Sequence, residues 1–171
     1  TVTDIVNQGL TEKFNAPVKT ISNGFEPEHI LKLDLDTITL IDKFNLYDAD
    51  YIIWLPVRIT TRKRIQLAIQ VAAAMSHLVP KEKVRLLIPG AIGPHSPNNS
   101  AYFAMLKDLV KELNAESVVL CLEDYYLDTS GRPKHLHNGM MYDFYKIAHL
   151  MLVTSDQEGF GLFLGEAALT R

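Results

Sequence analysis

Between Arg58 and Arg64 the chain places four cations in seven residues: Arg58, Arg62, Lys63 and Arg64. Near the carboxyl end, Glu158 and Glu166 are separated by seven residues, and the first is followed by Gly159, Phe160, Gly161 and Leu162. Fixed cations suit a phosphate or diphosphate. Glycines just before a helix start serve the same kind of anion, because bare backbone N–H groups and the positive end of the helix dipole face it. Each segment also has a plainer reading, the first as a solvated helix start and the second as a tight turn. Neither matches the dinucleotide fingerprint or the Walker phosphate loop.

These groups need a scaffold, and the hydrophobic pattern supplies one. Short β-rich apolar runs at Pro17–Ser22, Tyr51–Val57, Val84–Pro89, Ser117–Leu122 and His149–Thr154 read as strands. Between them Pro27–Phe44, Arg62–Leu78, Ala101–Leu113 and Met140–Ala148 read as amphipathic helices, and a last helix runs from about Gly161 to Arg171. In Ala101–Leu113 the residues Met105, Leu106, Leu109, Val110 and Leu113 mark a single buried face. Strands alternating with helices of this length imply right-handed crossovers and a parallel sheet. The strands around Trp54 and Leu120 are apolar throughout, as in a sheet covered on both faces. The expected fold is therefore α/β, a doubly wound, Rossmann-like parallel sheet. Ligands of such sheets bind outside the carboxyl ends of the strands. That rule selects the loops at Asn23-Gly24-Phe25, Arg58–Arg64, Pro89–Ser100, Glu123-Asp124 and Ser155–Gly161.

Composition narrows the function classes. With 171 residues the chain is one domain, and 17 Lys and Arg against 20 Asp and Glu leave a net charge of -3. A nucleic-acid binder would show a basic excess, so that partner is not expected. The single cysteine, Cys121, can form no internal disulfide, which suits a reducing compartment. No apolar run is long enough to span a membrane, and the amino terminus has no signal-peptide pattern. These features point to the cytoplasm, the cytoplasmic membrane face included. Thr1 stands where an initiator methionine would, which fits a fragment or a processed chain. His135 and His137 have no metal-binding motif around them and read as surface-loop residues. Trp54 reads as core, while Tyr125 and Tyr126 could stack on a base or a sugar.

The order of these segments is that of a known family. Glu158-Gly159-Phe160-Gly161-Leu162-Phe163-Leu164-Gly165-Glu166-Ala167-Ala168 resembles the Glu-(seven residues)-Glu signature of the retaining glycosyltransferases of family four. Ile21-Ser22-Asn23-Gly24-Phe25 is similar to that family's Asn-Gly turn, and Arg58 and Lys63 have its Arg-(four residues)-Lys spacing. Asp143–His149 resembles the segment leading into the strand before the signature. The likeness covers essentially the whole chain and implies the carboxy-terminal, donor-binding domain of a GT-B fold.

That resemblance implies a set of roles. Arg58 and Lys63 would hold the diphosphate of a nucleoside-diphosphate sugar, and Glu158 would contact sugar hydroxyls. Glu166, about 8 Å along a helix begun at Gly161, would accept from the ribose hydroxyls. Amides of Phe160, Gly161 and Leu162, with Gly159 beside them, would donate to phosphate or sugar. The reaction implied is metal-independent transfer of a hexose, with retention, to a glycan, lipid-linked or small-molecule acceptor, and no cofactor beyond the donor substrate. Residues 1–171 would then be one nucleotide-sugar-binding domain, lacking the amino-terminal acceptor domain and its own last strand, and inactive alone. A non-catalytic nucleotide-sugar-binding module and a GT-B sugar-nucleotide epimerase are the alternatives. The chain departs from the family pattern at Val57 and Arg64, where Gly is common, and at Phe163 and Gly165. The loop from Glu123 to Asn138 is longer than the turn that usually approaches the base.

Overall fold

A computed structural model describes residues 9–13, 33–92, 98–158 and 161–170. Four strands, β1 (Tyr51–Trp54), β2 (Val84–Ile88), β3 (Val119–Cys121) and β4 (Leu150–Met151), form one sheet in the order β3-β2-β1-β4. All three pairings are parallel. Tyr51 lies opposite Val84, Leu86 opposite Val119, and Ile53 opposite Leu150. The helices that pack around the sheet or follow its strands are α1 (Leu35–Lys43), α2 (Ile65–Met75), α3 (Asn99–Glu112), α4 (Asn138–Ile147) and α5 (Leu162–Leu169).

Successive side chains of a strand point to opposite faces, and β1 uses both. Ile53 and Leu55 pack with Ile65, Ala68, Ile69 and Ala72 of α2 and Leu106 of α3. Ile52 and Trp54 pack on the other face with Leu40 and Ile41 of α1 and Met140, Phe144 and Tyr145 of α4. Both faces are covered, so the apolar strand runs carry the meaning expected of them. Trp54 is fully buried, with its ring 5.1 Å from that of Phe144.

Element ends differ from the sequence expectation for local reasons. The strand expected at Pro17–Ser22, the Asn23-Gly24-Phe25 turn and the start of the Pro27–Phe44 helix lie outside the described residues. Within them, that helix begins only at Leu35, because the Asp34 carboxylate caps it by accepting from the Asp36 N–H at 2.9 Å. The helix expected over Arg62–Leu78 is broken near its start. Thr61–Lys63 form a 3-10 turn, Arg64 sits in the left-handed region at φ 46°, and α2 starts at Ile65. The strand expected at His149–Thr154 is reduced to two residues. One more pairing follows, from the Leu152 N–H to the Trp54 carbonyl at 3.0 Å, before the chain turns toward Arg62.

Arg64 occupies a conformation that favours glycine, costing a residue with a Cβ roughly 1–2 kcal/mol. Its guanidinium pairs with the Asp156 carboxylate at 3.0 Å, an exposed contact worth at most about 1 kcal/mol. Arg64→Gly is therefore expected to leave the melting temperature equal or higher. Arg64→Val keeps the strain, loses the pair, and should lower stability by about 1 kcal/mol. Thermal unfolding of the two variants checks this, and a Gly variant less stable than the Val variant would contradict it.

Candidate functional site

The carboxyl ends of the four strands open into one cleft of about 780 Å³. Arg58 enters it from the segment after β1, Pro89 and Ala91 from the segment after β2, and Glu123 from the residues after β3. Glu158, Gly161, Leu162 and Glu166 close it on the β4 side. Five of the residues singled out in the sequence thus share its walls. Gly159 and Phe160 lie outside the described residues.

Lys63 reaches the site indirectly. It is only 9% exposed, and its ammonium donates to Oε1 of Glu158. Three further contacts stitch the same two loops together. The Thr154 hydroxyl donates to the Lys63 carbonyl at 2.7 Å, and the Asp156 N–H donates to the Arg62 carbonyl at 3.0 Å. The Arg62 guanidinium donates to the Gln157 carbonyl at 3.2 Å. Adjacency of β1 and β4 in the sheet is what brings residues 95 apart in sequence into this contact. Burial pushes the Glu158 carboxyl upward, but the Lys63 hydrogen bond and the charges of Lys63 and Arg62 outweigh it. The net result is a value below the ordinary carboxylate range. Glu158 is therefore ionised at neutral pH, and the cation the sequence marks out is held by the carboxylate the sequence marks out.

Glu166 has its own partner. The Tyr145 hydroxyl donates to its Oε2 at 2.7 Å, joining α4 to α5. Burial, and then Glu166 itself, drive the Tyr145 phenol far above its usual value, so it stays protonated and donates. Gly161 precedes α5 at φ 69°, a left-handed conformation suited to glycine. The first amides of any α-helix lack intrahelical partners, and here the helix start belongs to the cleft wall.

Two further wall residues, one of them in the Glu123-Asp124 loop expected at the strand edge, hold contacts that residue spacing does not reveal. Glu123, 8% exposed, accepts from the Leu136 N–H at 3.2 Å and pairs with Nδ1 of His135 at 3.0 Å. His135 thus lines the wall from an exposed loop, its side chain 83% accessible, as its reading as a surface-loop residue has it. Gly90, at φ 104°, allows this approach, since a Cβ there would stand 3.3 Å from that of Glu123. A sequence signal for Glu123 existed: it is the first carboxylate after an apolar strand, on the edge where ligands bind. Nothing in the sequence pairs it with His135, which returns through a loop closed by the Leu127–Pro133 bridge.

The remaining candidates serve the scaffold. Tyr126 is buried, with its hydroxyl donating to Asp36 at 2.7 Å, and Tyr125 sits edge-on to Phe44. His137 pairs with Asp34 at 3.4 Å. Burial, aided by Asp124, pushes the Cys121 thiol up to about 12, so it is not a nucleophile at neutral pH. Among the described residues no helix is long and apolar enough to cross a membrane.

No protein-family model and no curated protein matches the chain. Solved structures do. HepE (Alr3699) of Anabaena, in complex with UDP, superimposes with a TM-score of 0.62 at 18% identity over 89% of this chain and 36% of its own. OtsA, a trehalose-6-phosphate synthase, gives 0.63 at 14% identity over 91% and 34%. A trehalose-6-phosphate structure from E. coli, bound with UDP-2-fluoro glucose, gives 0.62 at 16% identity over 86% and 33%. The chain thus spans about a third of the length of these neighbours. The fold is α/β and Rossmann-like, a parallel sheet with helices on both faces that corresponds to one half of a GT-B fold.

Proposed function

We propose that this chain is the donor-binding part of a retaining glycosyltransferase, which transfers a hexose from a nucleoside-diphosphate sugar to an acceptor. The observation that carries the reading is the single cleft at the strand ends, in which Arg58, Glu158, Glu166 and the start of α5 converge and Glu158 carries Lys63 with it. Its resemblance to the family-four signature supports the same roles, as do neighbours of the same fold solved with UDP and UDP-2-fluoro glucose.

The chemistry follows from charge. As the glycosidic bond breaks, negative charge builds on the leaving diphosphate. Cations fixed beside it stabilise the transition state more than the ground state. Arg58, exposed in the cleft, and Lys63, behind Glu158, supply that charge without a metal ion. Glu158 contacts sugar hydroxyls and also positions Lys63, so the two act as a unit. Glu166 accepts from the ribose hydroxyls, while amides of Gly161 and Leu162 donate to phosphate or sugar. The acceptor approaches from a second, amino-terminal domain of the complete protein.

Two measurements test this. Calorimetry of the 171-residue chain against UDP, GDP, ADP and dTDP should find one that binds, while the same chain gives no transfer from the matching sugar donor. The complete protein, given that donor and mixed acceptors, should release free nucleoside diphosphate together with a new glycoside of retained configuration. Binding without turnover in every acceptor mixture would favour a non-catalytic module. Binding of none of the four would overturn the reading.

A further inference from the structure

Tyr145 stands out because the proposed chemistry leaves it unused. It is an ionisable group only 4% exposed, it lies in the cleft wall, and it belongs to α4, whereas the signature lies in the β4–α5 segment. Its ring meets Trp54 edge-on, with centroids 6.1 Å apart at 88°, and belongs to the apolar cluster with Phe144 and Met140. A ring held on that side has little rotamer freedom. The hydroxyl at its end therefore marks a fixed point, and Oε2 of Glu166 rests on it at 2.7 Å.

Glu166 needs such a point. It sits midway along an eight-residue helix, α5, none of whose residues is buried. The helix alone leaves the carboxylate free to rotate. A donor that occupies Oε2 fixes the plane of the carboxylate and leaves Oε1, with the second lone pair of Oε2, for other donors. Two adjacent hydroxyls on one ligand match that remaining capacity.

We propose that Tyr145 is a positioning residue that sets the Glu166 carboxylate for a vicinal diol, the 2′ and 3′ hydroxyls of the donor's ribose. The inference rests on the nucleotide-sugar reading and extends it to a residue outside the signature. Tyr145 acts wholly through Glu166. It makes no contact with the diphosphate or the sugar, and its effect is confined to the ribose end.

The test uses the complete protein and the tightest-binding diphosphate among UDP, GDP and ADP, compared with its 2′,3′-dideoxy counterpart. Tyr145→Phe keeps the packed ring and removes only the hydroxyl. It should weaken the ribonucleotide roughly tenfold, the scale of one hydrogen bond to a charged group. The 2′,3′-dideoxy nucleotide should bind the variant as it binds the wild type, which also shows that the variant is folded. In a Glu166→Ala background, Tyr145→Phe should have no further effect on either nucleotide. Equal weakening of both nucleotides, or an undiminished effect in the Glu166→Ala background, would make Tyr145 structural and overturn the proposal. Unchanged ribonucleotide affinity in Tyr145→Phe would also overturn it, with the nucleotide-sugar reading intact. If the wild type binds none of the three this inference falls, and the nucleotide-sugar reading falls with it only if dTDP fails to bind as well.

Discussion

Replacing either Arg58 or Lys63 by Ala in the complete protein is expected to lower turnover roughly 10²–10³-fold, the scale for removing one preorganised electrostatic group. The two variants should part company in stability. Arg58 is exposed, and Arg58→Ala should stay within about 0.5 kcal/mol of the wild type. Lys63 is buried against Glu158, so Lys63→Ala takes the donor from a half-buried carboxylate that the cleft still opens to water, at a cost of about 1 kcal/mol. At Lys63 the plainer reading of this run as a solvated helix start gives way to burial. Acid should erase the difference. Glu158 has a folded value depressed below its unfolded one, so its contribution is fully present above the unfolded value and disappears as pH falls through the folded value. The stability gap between wild type and Lys63→Met should therefore be complete at pH 7. It should shrink once the pH drops below about 4.3, the ordinary glutamate value. Thermal unfolding at pH 7 and pH 3 with steady-state kinetics checks both parts. Normal turnover in both Ala variants would sink the diphosphate assignment.

Phe144→Ala is expected to be among the most damaging single changes to the fold, at about 3–5 kcal/mol. Phe144 is fully buried beside Trp54, in the cluster that joins α1 and α4 to the sheet. A domain of this size has roughly 5–15 kcal/mol in total, so one ring accounts for a large share. The loss should reach the cleft too, because the next residue, Tyr145, holds Glu166. Chemical denaturation gives the first effect, and nucleotide affinity under conditions where the variant is still folded gives the second. Phe144→Leu, which keeps most of the volume, should be much milder. A loss below about 1 kcal/mol for the Ala variant, the usual range for a surface position, would mean that this cluster does not hold α4.

The architecture was legible because apolar strands covered on both faces leave an unmistakable pattern, and Ile52 through Leu55 carry it without interruption. Part of the cleft wall was legible as well, since Arg58, Glu158 and Glu166 stand in segments that the fold brings to the carboxyl edge of the sheet. What stayed hidden was pairing. Residue type says that Lys63 can bind a phosphate, but only the adjacency of β1 and β4 makes Glu158 its neighbour. Tyr145 reads as one more apolar position of a helix face, and nothing local ties its hydroxyl to a residue 21 positions away. The break at Arg64 was invisible because arginine is an ordinary helix former and its left-handed backbone is held by tertiary contacts. The start at Leu35, by contrast, was there to be read, since Asp before an apolar run is a common helix cap.

Sheet order also fixes a sequence of events in time. Strands β1 and β2 are joined by one helix, and so are β2 and β3, so these three can zip together from nearby chain. Strand β4 pairs with β1 at the opposite edge, where the His149 and Ile52 backbones meet across 97 residues. Closing a loop that long is entropically slow, and it becomes rewarding only after the intervening units have collapsed. Substitutions in β4 should consequently leave the folding rate almost untouched and accelerate unfolding. A nascent chain emerging from the ribosome would already own Arg58 and the glutamate at position 123 on a formed sheet. It would lack the Lys63–Glu158 bridge until the segment after β4 had docked, so that wall of the cleft closes after the others.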